Sequence, residues 1–162
     1  MDYEIFILAE LVGQALKAQK KMLVTAESCT GGWIAQALTE VPGSSLWFDR
    51  GFVTYSNAAK IQMLGVDPKT LESYGAVSFQ AATEMVTGAL LHSGADVAIA
   101  VTGIAGPSGG TEEKPVGTVF IAWASKTAGN RVIQESLRGD RQAIRRQTVV
   151  LALKGLADSI SV

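Results

Sequence analysis

Between Tyr3 and Lys20 the apolar residues Ile5, Leu8, Leu11, Val12, Ala15 and Leu16 recur three or four positions apart, which gathers them on one face of a helix. The period then changes. Met22 to Ala26 is a short apolar run of strand length, and a second helical pattern continues to about Thr39. A loop at Val41 to Ser45 precedes a strand predicted from Leu46 to Tyr55, with Trp47, Phe52, Val53 and Tyr55 as its large residues. Asn57 is placed to cap a helix from Ala58 to Leu64. After Asp67-Pro68 a short helix ends near Tyr74-Gly75, and Ser78 caps a longer one through Leu91. Ala95 to Val101 and Val116 to Ala124 are near-continuous apolar runs of the kind covered on both faces of a sheet, while Arg131 to Leu137 alternates. Asp140 then caps a final helix carrying Ala143, Val150, Leu151 and Leu156. This succession predicts an α/β fold, a three-layer α/β/α sandwich whose mixed, mostly parallel sheet has about five strands. The close spacing of the last two strands implies a hairpin.

Composition narrows the function classes. A chain of 162 residues, 48% hydrophobic and 18% charged, suits a single domain over residues 1–162. Its net charge of −1 leaves only the cluster Arg138, Arg141, Arg145 and Arg146, which fits a small anion better than a nucleic acid. No apolar run approaches the roughly 20 residues of a membrane helix, and the start of the chain is acidic where a signal peptide is basic, so a cytoplasmic protein without membrane contact is expected. One cysteine rules out an intrachain disulfide, and the one histidine has no Cys or His at ligand spacing, so no metal and no cofactor are expected.

Three polar segments fall at the carboxyl ends of predicted strands, where open α/β sheets gather ligands: Glu27 to Gly32, Tyr55 to Lys60, and Thr102 to Gly110. Ser28 follows a strand and precedes a helix, which suits a nucleophile beside backbone N–H groups; it or Thr30 could equally be a helix cap. Cys29 reads either as a nucleophile or as a buried, inert thiol. His92 ends an apolar helix far from all three segments and makes a poor triad member. Lys60, one turn into its helix, is the candidate base if burial lowers its pKa, and otherwise a solvated lysine. Thr102 to Gly110 is either a cradle of N–H groups for a phosphate or oxyanion or a long loop; it matches neither GxxxxGK[ST] nor GxGxxG. Arg141 could present a bidentate fork to a phosphate or simply face solvent. Trp33, Trp47 and Phe48 read as core or as a subunit contact.

The stretches TAESCTGGWIAQALTEVPGSSLWFDRGFVTYSNAAKIQMLGV, VTGIAGPSGGTEEKPVGTVFIAWA and LRGDRQAIRRQTVVLAL together resemble the CinA C-terminal domain family over nearly the whole chain. The resemblance implies a nicotinamide-nucleotide amidase, which hydrolyses the carboxamide of nicotinamide mononucleotide to the carboxylate and ammonia in NAD salvage, without a metal. It implies Ser28 as nucleophile, with Tyr55 and Lys60 accepting and relaying its proton. The substrate-binding set it implies is Thr30, Gly31, Thr102, Gly103, Ala105, Gly106 and Arg141, with the oxyanion held by N–H groups near Cys29 and Thr30 or in the Gly103 loop. A homodimer is expected on the same ground. Two-domain members carry a longer N-terminal region linked to a pyrophosphatase activity; this chain begins almost at its first helix, so the resemblance implies the amidase alone. The rival readings are a non-catalytic nucleotide-binding or regulatory module and a phosphatase acting on the same ligand.

Overall fold

In the computed structural model, which describes residues 1–160, the chain runs α1 (Tyr3–Gln19), β1 (Leu23–Glu27), α2 (Trp33–Thr39), β2 (Phe48–Val53), α3 (Asn57–Leu64), α4 (Pro68–Tyr74), α5 (Phe79–Leu91), β3 (Val97–Gly103), β4 (Thr118–Ser125), β5 (Gly129–Ser136) and α6 (Arg141–Ile160). The strands form one sheet in the order β2-β1-β3-β4-β5. β1 pairs with β2 and β3 in parallel, whereas β3 with β4 and β4 with β5 are antiparallel. The five-stranded mixed sheet is therefore present, but its pairings divide evenly where mostly parallel ones were expected. The reason is local. The loop from Ile104 to Gly117 contains no helix, so β4 returns beside β3 antiparallel, and β5 follows it by hairpin.

The two faces of the sheet differ in side-chain size. On one face Val97, Ile99 and Val101 of β3 and Val119, Ile121 and Trp123 of β4 pack against α1, α2 and α6. The other face presents Ala98, Ala100, Ala122 and Ala124 to α5, whose Ala81, Ala82, Met85, Val86 and Ala89 are buried. Alternation along each strand sorts large and small residues onto opposite faces, and the small face lets α5 lie close. Trp47 is buried at 3% exposure in the first cluster, with Trp33 and Phe48 packed against it, so these aromatics act as core. No helix is long and apolar enough to cross a membrane among the described residues.

Several element ends moved from their expected places. Ser56, not Asn57, caps α3, its Oγ accepting from the Ala59 N–H at 3.0 Å. The strand expected from Leu46 starts at Phe48 because Ser44–Leu46 coils into a 3₁₀ turn, and it ends at Val53, two residues before Tyr55. The cap at Ser78 lies where the spacing put it. Asp140 likewise accepts from the Ala143 N–H at 2.9 Å, at the start of α6.

After β1 the chain turns into α2 on one face of the sheet; after β2 it turns into α3, which packs with α5 on the other. A crevice opens between two such diverging connections at the carboxyl ends of the strands. The loop after β3 ends on the same rim.

Candidate active site

Ser28 follows β1 directly. Its N–H donates to the Val101 carbonyl of β3 at 3.1 Å, and its carbonyl accepts from the Gly31 N–H at 3.0 Å, closing a tight turn over Ser28–Gly31. Gly32, at φ +103°, then enters α2 through a left-handed conformation that a side chain would strain. Two charged residues hold this turn. Glu27, at 1% exposure, accepts from the Thr30 hydroxyl at 2.6 Å and from the Ile34 and Ala35 N–H groups at 2.8 and 3.0 Å, so a carboxyl group satisfies orphan donors at the start of α2. From α6, Arg145 donates to the Cys29 carbonyl at 3.0 Å and the Thr30 carbonyl at 3.1 Å, with its guanidinium 5.7 Å from the centre of the Trp33 ring.

Lys60 lies on the first turn of α3 and is 1% exposed. Its Nζ is 3.0 Å from Ser28 Oγ, 2.8 Å from the Thr54 carbonyl and 3.2 Å from the Tyr55 carbonyl. Burial pushes its pKa down, and the Cys29 thiol beside it works weakly the other way. Nζ donates to all three oxygens, and burial favours the neutral amine, whose lone pair could take the Ser28 proton. No carboxylate forms an ion pair with it among the described residues. The Cys29 thiol is pushed up to about 12, chiefly by burial and then by the nearby Glu27 charge, so it is a thiol and not a thiolate at neutral pH.

Ser28, Tyr55, Lys60, Thr102, Gly103, Ala105, Gly106 and Arg141 all border one cavity of about 260 Å³ at the carboxyl ends of the strands. The first two expected substrate contacts lie elsewhere. Thr30 is fully buried with its hydroxyl on Glu27, and Gly31 is exposed on the outer side of the turn, near Arg145. Tyr55 sits at the rim, 61% exposed; its hydroxyl accepts from Arg141 at 3.1 Å and is bonded to neither Ser28 nor Lys60. Arg141 also donates to the Gly106 carbonyl at 2.8 Å, so both these acceptors are neutral, and among the described residues no carboxylate forms an ion pair with it. Gly106 has φ +78°, and a Cβ there would lie 2.5 Å from Val116 Cγ1. Thr102 Oγ1 donates to the Ala76 carbonyl at 2.8 Å, tying β3 to the segment before α5. His92, at the end of α5, bonds the Gly88 carbonyl and is not among the residues bordering the cavity. A larger hollow of about 520 Å³ lies at the opposite end of the sheet, beside the β4–β5 hairpin, away from all three polar segments. Among the described residues no three His, Cys, Asp or Glu side chains gather as a metal site would require.

In the sequence Glu27 figures only as the start of the first polar segment and Arg145 only as one of four clustered arginines, neither with a role of its own. A carboxylate ending an apolar strand just before a helix was the signal for the first, and a position one turn beyond Arg141 on the same helix was the signal for the second.

The profile of the CinA C-terminal domain matches residues 6–160. The chain belongs to the CinA C-terminal domain family. Within the family it is 54% identical over 155 residues to the nicotinamide-nucleotide amidohydrolase PncC of Escherichia coli (strain K12), covering 96% of this chain and 94% of that protein. It is 52% identical over 154 residues to the PncC of Pseudomonas putida, covering 94% of each. The crystal structure of the competence/damage inducible protein CihA from Agrobacterium tumefaciens has the same fold, with a TM-score of 0.93 at 47% identity, over 97% of this chain and 95% of that one.

Proposed function

We propose that this protein is an amidohydrolase that converts nicotinamide mononucleotide and water to nicotinate mononucleotide and ammonia, as one domain running over residues 1–162. The observation that carries the reading is the 3.0 Å contact between Ser28 Oγ and the buried Lys60 Nζ, in a chain over half identical to relatives named for this reaction.

Ser28 Oγ attacks the amide carbon as Lys60 takes its proton, giving a tetrahedral intermediate whose oxyanion is held by backbone N–H groups. The C–N bond breaks, Lys60 returns the proton to the departing nitrogen, and ammonia leaves. Water then attacks the acyl-enzyme ester with Lys60 again as base, freeing the acid and the Ser28 hydroxyl. Tyr55 and Arg141 act at the rim, where the guanidinium meets the phosphate and the phenol relays protons between the site and solvent. Thr102 shapes the cavity wall beside Ser28 through its bond to Ala76. The reaction needs no metal, and the protein works as a cytoplasmic homodimer.

Ammonia release from nicotinamide mononucleotide, with EDTA present, by the wild type and by Ser28→Ala tests this. Activity in the wild type and its loss in the variant support the mechanism. Inhibition by EDTA overturns the metal-free step, and phosphate release in place of ammonia turns the protein into a phosphatase. Binding without turnover in either form leaves a nucleotide-binding module.

A further inference from the structure

The turn that carries Ser28 has a pattern of engaged and free peptide groups that the Ser28–Lys60 contact does not explain. Its N–H groups are unequal. Those of Ser28, Gly31 and Trp33 donate to the carbonyls of Val101, Ser28 and Thr30. The Cys29 and Thr30 N–H groups have no acceptor on another residue among the described residues, although Cys29 is 6% and Thr30 0% exposed. The Cys29 N–H meets only its own Sγ and borders the cavity, so directly after the nucleophile stands a buried donor with no backbone acceptor, an exception to the usual pairing.

Three consecutive carbonyls of the same turn are held. Ser28 C=O accepts from Gly31, while Cys29 C=O and Thr30 C=O accept from Arg145 at 3.0 and 3.1 Å. A trans peptide points its N–H opposite to its C=O. Fixing the Cys29 carbonyl on Arg145 therefore turns the Thr30 N–H away from α6, and fixing the Ser28 carbonyl on Gly31 sets the direction of the Cys29 N–H. The guanidinium also polarises the peptide it holds, because its charge faces the carbonyl end of the dipole. Among the described residues no carboxylate pairs with Arg145, so its charge acts on the turn.

We propose that Arg145 is a positioning residue for the hydrolytic step: its grip on the Cys29 and Thr30 carbonyls from behind the turn sets the Gly31 N–H on the Ser28 carbonyl, and so turns the Cys29 N–H, at the cavity, to receive the oxyanion. The proposal rests on the amidase reading above. The other N–H groups at the rim suit the task less well. That of Ile104 is engaged by the Thr118 carbonyl, and those of Ala105 and Gly106 belong to a loop that no guanidinium holds by two consecutive carbonyls.

The test compares wild type, Arg145→Ala and Arg145→Lys in kcat, KM and pH profile for ammonia release. Removing aimed oxyanion donors typically lowers kcat by about a hundredfold or more, so Arg145→Ala should lose that much with KM little changed and with the Lys60 limb of the pH profile in place. Arg145→Lys, a point charge that cannot span both carbonyls, should fall between. Millimolar guanidinium should restore part of the rate to Arg145→Ala, which a merely structural arginine would not allow. Wild-type kcat in Arg145→Ala, or a loss confined to KM, overturns the proposal and moves the oxyanion to Ala105 and Gly106. Should Arg145→Ala not fold, Arg145→Lys carries the same comparison. Acylation of Ser28 by p-nitrophenyl acetate, read as the burst of p-nitrophenolate, needs the turn but no nucleotide. A burst slowed in the variants supports the role of Arg145 even where the wild type releases no ammonia from the mononucleotide, and equal bursts overturn it.

Discussion

The turn after β1 and the loop after β3 border the same cavity and are held in different ways. From Glu27 to Trp33 the chain is gripped by a buried carboxyl group on one side, by Arg145 on another and by Lys60 at the Ser28 hydroxyl. From Pro107 to Glu113 the second segment is exposed throughout. That loop is closed at its base by the Ile104–Thr118 and Gly117–Ile104 bonds and tied at its rim by Arg141 on Gly106; Thr111 and Lys114 bond across its tip, and Lys114 Nζ donates to the Tyr74 carbonyl at 2.7 Å. In the proposed reaction, groups that must meet a reacting carbon within a fraction of an ångström sit on the gripped turn, while those proposed to admit and retain the nucleotide border the looser one.

Breaking the gripped side should have the largest effect. Lys60→Met removes the base and is expected to lower kcat by about 10² to 10⁴, with binding of the product mononucleotide retained in calorimetry. The wild-type kcat/KM should rise with pH through the depressed pKa of Lys60 and level off below the ordinary lysine range, because the proposed base acts as the neutral amine. Stability carries the same sign. The unfolded chain binds a proton that the folded Lys60 releases more readily, so unfolding free energy should climb with pH from the folded pKa up to the ordinary lysine value and lose that climb as pH falls back. Measured by urea unfolding in a Cys29→Ala background, which removes the opposite slope that the raised Cys29 pKa adds above pH about 9, the climb should vanish on adding Lys60→Met.

A change on the looser side should cost affinity and not chemistry. Arg141→Ala deletes a guanidinium whose present acceptors are a carbonyl and a phenol. One charge-assisted contact to an anion is worth about 1.5–3 kcal/mol, so KM should rise roughly ten- to a hundredfold with kcat much less altered. A fall in kcat with KM unchanged would instead put Arg141 in the chemical step, through Tyr55. The smallest effect belongs to the thiol that borders the cavity. With its pKa near 12, Cys29 should resist iodoacetamide at pH 7.5 in intact mass measurements, and Cys29→Ala should keep kcat within about twofold.

Local pattern was enough to place most elements. The helical period from Tyr3, the cap at Ser78 and the apolar run ending at Val101 each depend on residues within a turn or a pleat of one another. The same held for Ser28, whose position between a strand and a helix is visible in fifteen residues. Errors arose where a nearby residue competed, as when Ser56 supplied the cap expected of Asn57 and the chain before Phe48 coiled instead of extending. The even split of parallel and antiparallel pairs followed from the missing helix between β3 and β4, a feature the glycine-rich composition of that loop already carried.

The sequence by itself determined the layers, the strand count, the family and the three segments that could carry chemistry, because periodicity, caps and motif residues are written over short distances. Only the tertiary structure decided how those side chains are used. Lys60 reaches Ser28 across 32 positions, and Arg145 reaches Cys29 across 116. Thr30 bonds Glu27 and so stands outside the cavity, and Tyr55 meets Arg141 in place of the Ser28–Lys60 pair. Such contacts depend on which loops the sheet order brings to one edge and on how deeply a lysine is buried there, and neither quantity has a local signature in the chain.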